Sequence, residues 1–336
     1  MKLRILTESH VSQIITMAEA IDLQAQAFST LARGLSVEGL RSQALVKNPP
    51  GIVIFNPSVL TDGSVWGIKI ASDYYQNEPK GIVPRMSAVI YLGDGATGHP
   101  RTLMEGGRIT DLRTGAGLAL AARYLARSES RTIAIIGAGR VARFALEALS
   151  EVCPLRKVLL STRSEGRGRQ FVDTMSKRGG KIPSDIEFVG SPSAAVRVAD
   201  VVVAATTSKV AVFSGADLKP GTLVIAAGGY EPDHREVDSE TIRRASKWVI
   251  DSRRDCLGHS GDLMIPIREG LLREEQVAEI AELVEGRRPG RESAEEITYF
   301  KSVGVPIQDL VTAREVESRA IARGIGTLVD LGGDHD

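Results

Sequence analysis

An apolar run passes through closely spaced glycines into a helical pattern in TIAIIGAGRVARFALEAL (residues 132–149), and this transition limits the folds open to the chain. Gly137 permits a tight turn, Gly139 lets a ligand approach the backbone, and Ala142 allows the helix to lie close to the strand. A lone GxGxxA match also suits a turn that binds nothing, but a second strand follows here in order, which favours dinucleotide binding. Phosphate is attracted to the free N–H groups at such a helix start. The expected pyrophosphate contacts are Gly137, Ala138, Gly139, Arg140 and Val141.

Strand and helix patterns alternate regularly in the middle of the chain. The predicted strands are 132–136, 157–161, 200–205, 223–227 and 248–251. This alternation predicts an α/β fold with a doubly wound parallel sheet that has helices on both faces. The first 112 residues differ, because a helical pattern over 11–31 precedes short alternating runs at 51–56, 65–71 and 87–92, which is typical of an α+β domain.

Charge and composition limit the class of partner. The 42 basic and 42 acidic residues balance, so no global field attracts nucleic acid or an anionic membrane, and we expect a small-molecule partner. We find neither a signal peptide nor an apolar run of about 18 residues, and Cys153 and Cys256 lie far apart, which predicts a cytoplasmic protein. Each cysteine is interpreted as a small buried hydrophobic residue. The histidines show no metal-binding spacing, so we expect no metal site.

The end of the second predicted strand bears on the choice between NAD and NADP. An acidic residue there would recognise the ribose 2′-hydroxyl of NAD. The chain instead has Thr162 and Arg163, followed by Arg167 and Arg169. A guanidinium suits a 2′-phosphate, so the sequence predicts a preference for NADP(H), while Glu165 keeps NAD(H) possible.

Several further motifs resemble those of the ornithine cyclodeaminase and μ-crystallin family, and together they span most of the chain. They are GIKI, MEGGRITDLRTGAGLALAARYLA, AAGGYEPDHREVD, VIDSRRDCLGHSGD and GRESAEEITYFKSVGVPIQDL. The resemblance implies a homodimer in which a Rossmann dinucleotide-binding domain (116–301) is inserted into an α+β substrate-binding and dimerisation domain (1–115 and 302–336).

The resemblance also implies that cations hold the α-carboxylate of an amino acid or imino acid substrate. By motif matching these are Lys69 in GIKI, Arg113 in LRTGAG and Arg41, with Thr114 near the diphosphate. Arginine can donate two parallel hydrogen bonds to a carboxylate, and lysine adds a point charge. The alternative interpretation is that Lys69 and Arg113 are solvated surface cations.

Two more segments are expected near the cofactor, because each directly follows a predicted strand. Thr206 and Thr207 follow one predicted strand and Gly228 follows the next. Because strand carboxyl ends face the ligand crevice in such sheets, ribose or nicotinamide contacts are expected there. Threonines at a strand end also serve as turn formers, so this alternative stays open.

One departure from the family pattern concerns the reaction. Cyclodeaminases of the family carry an aspartate where this chain has Tyr230, and a phenol is a poor proton acceptor near neutrality. Tyr230 either lines the cofactor cleft or donates a proton, and His234 either relays protons or lies at the surface. The segment resembles the μ-crystallin and imine-reductase branch, and VPRMSAVIYL resembles dehydrogenases that oxidise N-(2-amino-2-carboxyethyl)-glutamate.

These features predict an NAD(P)-dependent oxidoreductase that acts on the C–N bond of an amino acid, imine or N-substituted amino acid. Hydride would pass between the nicotinamide and the substrate α-carbon, with the carboxylate held by the cations. Two alternatives remain. One is an ornithine cyclodeaminase-type lyase with bound NAD, and the other is a non-enzymatic NADP(H)-dependent ligand-binding protein.

Overall fold

The chain divides into two units in this computed structural model, which describes residues 1–74, 76–77, 80–82, 84–229 and 231–332. The first unit comprises Met1–Arg113 and Pro306–Asp336, and the second comprises Thr114–Val305. The chain therefore leaves the first unit once and returns to it with its last helix. The sequence predicted a substrate-binding and dimerisation domain and a dinucleotide-binding domain, and these functions stay predictions.

The bounds of the regular elements are as follows. The strands are β1 Lys2–Leu6, β2 Ser36–Glu38, β3 Ser42–Lys47, β4 Pro50–Leu60, β5 Val65–Asp73, β6 Met86–Asp94, β7 Pro100–Glu105, β8 Thr132–Ile136, β9 Lys157–Ser161, β10 Asp185–Phe188, β11 Val201–Ala204, β12 Leu223–Ala226, β13 Lys247–Ile250, β14 Val277–Glu279, β15 Thr298–Lys301 and β16 Thr327–Asp330. The helices are α1 Glu8–Ile14, α2 Met17–Ala32, α3 Gly106–Leu125, α4 Arg140–Val152, α5 Glu165–Ser176, α6 Pro192–Val196, α7 Ser239–Arg244, α8 Arg253–Cys256, α9 Gly261–Arg268, α10 Ile280–Val284 and α11 Pro306–Ala322.

The first unit is built on a mixed sheet. Its strand order is β16-β1-β7-β6-β5-β4-β2, and β3 also pairs with β4. The pairing of β1 with β7 is parallel, whereas β4, β5, β6 and β7 form an antiparallel meander. Helices α2 and α11 pack together, and α11 also contacts β4 and β5. One face of the meander is therefore covered by α11.

The second unit contains a sheet of eight parallel strands in the order β10-β9-β8-β11-β12-β15-β13-β14. The order reverses between β8 and β11, which is the feature of a doubly wound fold. The central strands are apolar along their whole length and fully buried, as expected for a sheet covered on both faces. The predicted α/β class and parallel sheet are confirmed.

Two buried aspartates bind backbone N–H groups at opposite ends of the strands in this sheet. Asp200 accepts hydrogen bonds from the N–H groups of Arg131 (2.8 Å) and Thr132 (3.0 Å) at the amino end of β8. Asp251 accepts from the N–H groups of Val303 (2.8 Å) and Gly304 (2.6 Å), just after β15. Because each carboxylate satisfies backbone donors that would otherwise lie unpaired, it defines where the adjoining segment runs.

Both cysteines are buried thiols. Burial, with Asp200 nearby, raises the pKa of Cys153 to about 11, and burial with Asp251 raises the pKa of Cys256 well above its ordinary value. Cys256 also donates to Asp251 Oδ1 at 2.9 Å, which the sequence did not reveal. Across the described residues, no helix is long and apolar enough to cross a membrane.

Candidate active site

Lys69 lies on the buried face of a strand. Residues of β5 alternate between buried and half-exposed, and Lys69 shares the buried face with Val65 and Ala71. Its side chain is 4% exposed, and Nζ lies 2.6 Å from Asp309 Oδ2 in the first turn of α11. Since an unpaired buried charge is costly, this carboxylate is what makes the position tolerable for a lysine.

Arg113 reaches the same carboxylate from α3. Its Nε donates to Asp309 Oδ1 at 3.1 Å, and the residue is 8% exposed. Gln308 adds two longer contacts, because its Oε1 accepts from Arg113 Nη1 and its Nε2 donates to the Arg113 carbonyl, both at 3.5 Å. The two predicted carboxylate-binding cations therefore share one acidic partner, and neither is a solvated surface cation.

Arg41 is connected to this group through an asparagine. Its Nε donates to Asn56 Oδ1 at 3.2 Å, and Asn56 lies directly opposite Lys69 in the pairing of β4 with β5. We call Arg41, Lys69, Arg113 and Asp309 the cation cluster. Three positive groups and one carboxylate leave it with an excess of positive charge, which suits a small anion.

The electrostatics of the cation cluster lower the pKa of Lys69 into the mildly alkaline range. Burial, together with the charge of Arg113, lowers the pKa of Lys69 to about 8, although Asp309 acts in the opposite direction. Burial would raise the pKa of Asp309, but Arg113 and Lys69 outweigh it and hold that pKa below its ordinary value. Lys69 thus carries its charge at neutral pH and loses it in the mildly alkaline range.

The predicted dinucleotide loop lies in the second unit between β8 and α4. Gly137 has a φ of 111°, and a Cβ there would fall 2.4 Å from the carbonyl oxygen of Ala205, so glycine is required. At Gly139 a Cβ would meet nothing within 4 Å, and this residue caps α4 without a side-chain hydrogen bond. The first turn of α4 has no acidic residue. Its N–H groups and dipole are therefore suited to an anion.

The end of β9 carries the residues that were expected to select the cofactor. Thr162 is half-buried and Arg163 is exposed, directly after the strand ends at Ser161. Glu165 is engaged with Arg169, whose Nη2 lies 2.6 Å from Glu165 Oε1. Both side chains are exposed, so this is a surface ion pair between neighbouring turns of α5.

The segments after β11 and β12 are held by a residue that sequence reasoning missed. Thr206 donates its N–H (2.5 Å) and its hydroxyl (2.8 Å) to Glu236 Oε1, and Gly228 donates its N–H to Glu236 Oε2 at 2.6 Å. Thr207 is exposed beside them, and Thr114 is half-buried in α3. Glu236 belongs to the quoted motif AAGGYEPDHREVD, but nothing in its local pattern distinguishes it from the other acidic residues there.

Tyr230, the residue that departs from the cyclodeaminase pattern, lies outside the described residues. His234 is described, and its Nε2 lies 3.2 Å from Glu231 Oε2 and 3.7 Å from Asp233 Oδ1. The ligand atoms of these three residues lie within 4.8 Å of one another, a grouping that the scattered histidines did not suggest. Both carboxylates are exposed, and such groups are common without a metal ion. We assign no metal to them.

Asp309 is the other important residue that the sequence did not identify. It lies in the motif SVGVPIQDL, where an acidic residue interrupts an apolar stretch at the start of a helix. That interruption was the available signal. The role of Asp309 could not be predicted from this signal, because it depends on α11 packing against the strand that carries Lys69, more than 200 residues earlier in the chain.

Comparison with known proteins extends the resemblance. The sequence profile of the Ornithine cyclodeaminase/mu-crystallin family matches residues 1–324. Delta(1)-pyrroline-2-carboxylate reductase of Bacillus cereus is 32% identical over 97% of this chain and 99% of the relative. The structure of Thermococcus litoralis Delta(1)-pyrroline-2-carboxylate reductase in complex with NADH and L-proline superimposes with a TM-score of 0.91 at 38% identity, covering 96% of this chain and 99% of that one.

A second solved structure is also similar over nearly the whole chain. An archaeal alanine dehydrogenase dimer with bound NAD gives a TM-score of 0.89 at 31% identity and covers 99% of this chain and 100% of that one. The relatives named here are oxidoreductases of imino or amino acids. Because the profile and these alignments extend over nearly the whole sequence, the chain belongs to the ornithine cyclodeaminase/mu-crystallin family.

Proposed function

We propose that this chain is an NAD(P)-dependent oxidoreductase that reduces the C=N bond at the α-carbon of an imino acid. The observation that carries the proposal is the cation cluster, in which buried Lys69 and Arg113 converge on Asp309. A cluster with excess positive charge can bind and orient an α-carboxylate through charge-assisted hydrogen bonds. Holding the carboxylate fixes the neighbouring α-carbon, which is the atom to be reduced.

The residues of the dinucleotide loop fit a nicotinamide cofactor. Gly137 makes the tight turn, Gly139 faces open space, and the N–H groups at the start of α4 are suited to the pyrophosphate. The reduced nicotinamide, when bound, supplies the hydride for the α-carbon, while the nitrogen gains a proton. The protein contributes binding, orientation and the electrostatic environment.

Within this class we propose a cyclic imino acid, Delta(1)-pyrroline-2-carboxylate or its six-membered homologue, as the substrate. The support is the similarity to relatives named as Delta(1)-pyrroline-2-carboxylate reductases at 32% and 38% identity. The absence of the cyclodeaminase aspartate at position 230, where the sequence has Tyr230, also favours reduction over ring closure with ammonia loss.

We propose NADP(H) as the preferred cofactor. Arg163 is exposed at the end of β9, and Glu165, the nearby carboxylate, is paired with Arg169. A guanidinium beside the adenosine ribose favours a 2′-phosphate, whereas NAD requires an acceptor for the 2′-hydroxyl.

The test is an assay at 340 nm with the purified chain. NADPH or NADH is supplied with Delta(1)-pyrroline-2-carboxylate, Delta(1)-piperideine-2-carboxylate, or pyruvate plus ammonia, and a separate incubation with NAD and L-ornithine is analysed for proline. We expect oxidation of the cofactor with the cyclic imines and a lower KM for NADPH than for NADH. A large advantage for NADH would refute the cofactor preference, and proline formed from ornithine without net cofactor turnover would favour the lyase.

A matched pair of variants tests the role of the cation cluster. Arg113→Met should lower kcat/KM at least roughly a hundredfold, because a charge-assisted contact to a buried carboxylate is worth several kcal/mol. Arg123→Met, which removes an exposed arginine further along the same helix α3, should leave it unchanged. If folded Arg113→Met kept full activity, or if tight dinucleotide binding came with no reaction for any imine, the reductase proposal would fail.

A further inference from the structure

A buried carboxylate in the second unit joins the ends of two neighbouring strands. Glu236 is fully buried, and its Oε1 accepts the N–H and the hydroxyl of Thr206. Its Oε2 accepts the N–H of Gly228 at 2.6 Å and that of Gly229 at 3.3 Å. Both oxygens are therefore used, one for the segment after β11 and the other for the segment after β12.

The carboxylate is itself held in place by a second layer of buried charges. Asp262 Oδ1 accepts the N–H groups of Glu236 (2.6 Å) and Val237 (3.1 Å), and its Oδ2 lies 2.8 Å from Lys301 Nζ. Both side chains of the Lys301 and Asp262 pair are completely buried. Although burial opposes it, the charges of Asp262 and Glu236 raise the pKa of Lys301, so the lysine is a cation.

Such an arrangement is poorly explained by stability alone. Removing three charged groups from water is expensive, and a buried ion pair often contributes no more than apolar residues of the same volume. The fit is also close, since a Cβ on Gly228 would fall 2.1 Å from the Thr206 carbonyl oxygen and 2.7 Å from Glu236 Oε1. What the network does achieve is a single fixed position for two loop segments.

The position of these segments in the sheet indicates what they are fixed for. The strand order reverses between β8 and β11, and a dinucleotide lies across such a reversal with one half on each side. The loop with Gly137 and Gly139 follows β8, whereas Thr206 and Gly228 follow β11 and β12 on the other side of the reversal. The adenosine half belongs to the side of β8 and β9, which leaves the nicotinamide half for the side that Glu236 holds.

We propose that Glu236 is a positioning residue for the nicotinamide half of the cofactor, acting through the segments at Thr206 and Gly228 and supported by Asp262. This inference rests on the proposed function, because it assumes that the second unit binds a nicotinamide dinucleotide. Glu236 acts on the ligand only through these segments, so its loss should separate the binding of the two halves of the cofactor.

The test compares an intact cofactor with a fragment that lacks its nicotinamide half. Glu236→Gln keeps the shape of the side chain but replaces one acceptor oxygen by an NH₂ group, so the donors of one segment face another donor. By titration calorimetry, NADPH should bind at least roughly tenfold more weakly. Adenosine 2′,5′-bisphosphate should bind within about twofold of wild type, because its site lies on the side of β8 and β9. NADH and ADP form a second pair of probes.

A control variant separates positioning from general stability. Asp200 is a buried carboxylate of the same unit that accepts backbone N–H groups at the amino end of β8, away from the carboxyl ends of the strands. Asp200→Asn should lower Tm but change the affinities for NADPH and for the fragment by the same factor. If Glu236→Gln behaved in that way, Glu236 would have a structural role only and the proposal would be overturned.

A milder variant covers the case in which Glu236→Gln does not fold. Thr206→Val removes the hydroxyl contact to Glu236 and the acceptor of the Ser208 N–H, and it leaves the N–H contacts of Thr206, Gly228 and Gly229 to Glu236. It should show a smaller loss in the same direction, for NADPH and not for the fragment, and equal effects on both would overturn the proposal. If wild-type protein bound neither dinucleotide, the proposed function would fail first, and the two failures are therefore distinguishable.

Discussion

The charge on Lys69 should make substrate binding depend on pH in a predictable direction. Burial and Arg113 lower the pKa of Lys69 to about 8, so the cation is lost at a lower pH than in an exposed lysine. Below this pKa the ammonium attracts the substrate carboxylate, and above it the neutral amine does not. We expect KM for Delta(1)-pyrroline-2-carboxylate to rise by roughly tenfold or more as pH increases through that pKa. Initial rates across a pH series measure it.

The imine substrate also titrates, so a variant is needed to show that the rise in KM with pH comes from Lys69. Lys69→Met has a similar volume and no charge. Its KM should be high throughout and should lack the rise near the pKa of Lys69, whereas the effect of substrate protonation should persist. An unchanged inflection in Lys69→Met would show that another group is responsible.

Individual site residues differed in how far the sequence could identify them. Lys69 and Arg113 stood in motifs that resemble a known family, and the structure brings both onto Asp309. Asp309 and Glu236 also lie in such motifs, but the resemblance assigned them no role, because their importance lies in contacts with other segments of the chain. A local pattern reports which face of an element is apolar, and it does not report which distant donor will meet a carboxylate.

At the scale of elements, the dinucleotide loop permits a variant that separates binding from folding. A Cβ at Gly139 would meet nothing within 4 Å, and φ there is −84°, so Gly139→Ala should fold with a stability within about 1 kcal/mol of wild type. The added methyl group would occupy space that the pyrophosphate needs. We expect cofactor affinity to fall at least roughly tenfold while Tm changes little.

Gly166→Ala is the matched control for this prediction. Gly166 lies in α5, and a Cβ there would also meet nothing within 4 Å. Alanine is the better helix former by about 1 kcal/mol, so Tm should rise slightly and cofactor binding should not change. Equal cofactor affinity in Gly139→Ala and Gly166→Ala would count against the assignment of the loop.

The five strands predicted in the middle of the chain are all present, two with the predicted bounds and three with ends that differ by one residue. The strands Thr132–Ile136 and Lys157–Ser161 agree residue for residue with the prediction. The opening helix was predicted as one element, yet Thr16 caps a second helix, so that α1 and α2 are separate. Among the strands of the parallel sheet, β10, β14 and β15 were not predicted, and β15 ends in a lysine whose burial depends on Asp262. Pairing order, such as β15 between β12 and β13, has no local signature at all.

The cation cluster depends on the chain leaving the first unit and re-entering it. Lys69 and Arg113 come from before the second unit, and Asp309 comes from after it. A chain that ended before Pro306 would retain the buried cations without their carboxylate, which is costly. Correct placement of the last helix is therefore a condition for the cation cluster.

An apolar face on the first unit supports the predicted homodimer, which we retain as a proposal. On β5 the residues that alternate with Lys69 face away from α11 and are half-exposed, and they include Trp66, Ile68 and Ile70. Their neighbours across the sheet include Tyr91 and Val89, of which Val89 is 40% exposed. A contiguous apolar face of this kind is typical of a subunit interface, and one similar structure is described as a dimer.

Charged substitutions on this face should separate the subunits. Ile70 and Val89 lie opposite each other in the pairing of β5 with β6, so Ile70→Glu with Val89→Glu places two carboxylates side by side. Burying them against a second copy would cost several kcal/mol, which weakens association more than a hundredfold. Light scattering after size exclusion should give a dimer for wild type and a folded monomer for the double variant. Val198→Glu, at a residue of the second unit that is 52% exposed, should remain a dimer. A monomeric wild type, or a double variant that stays dimeric, would show that this face is not the interface.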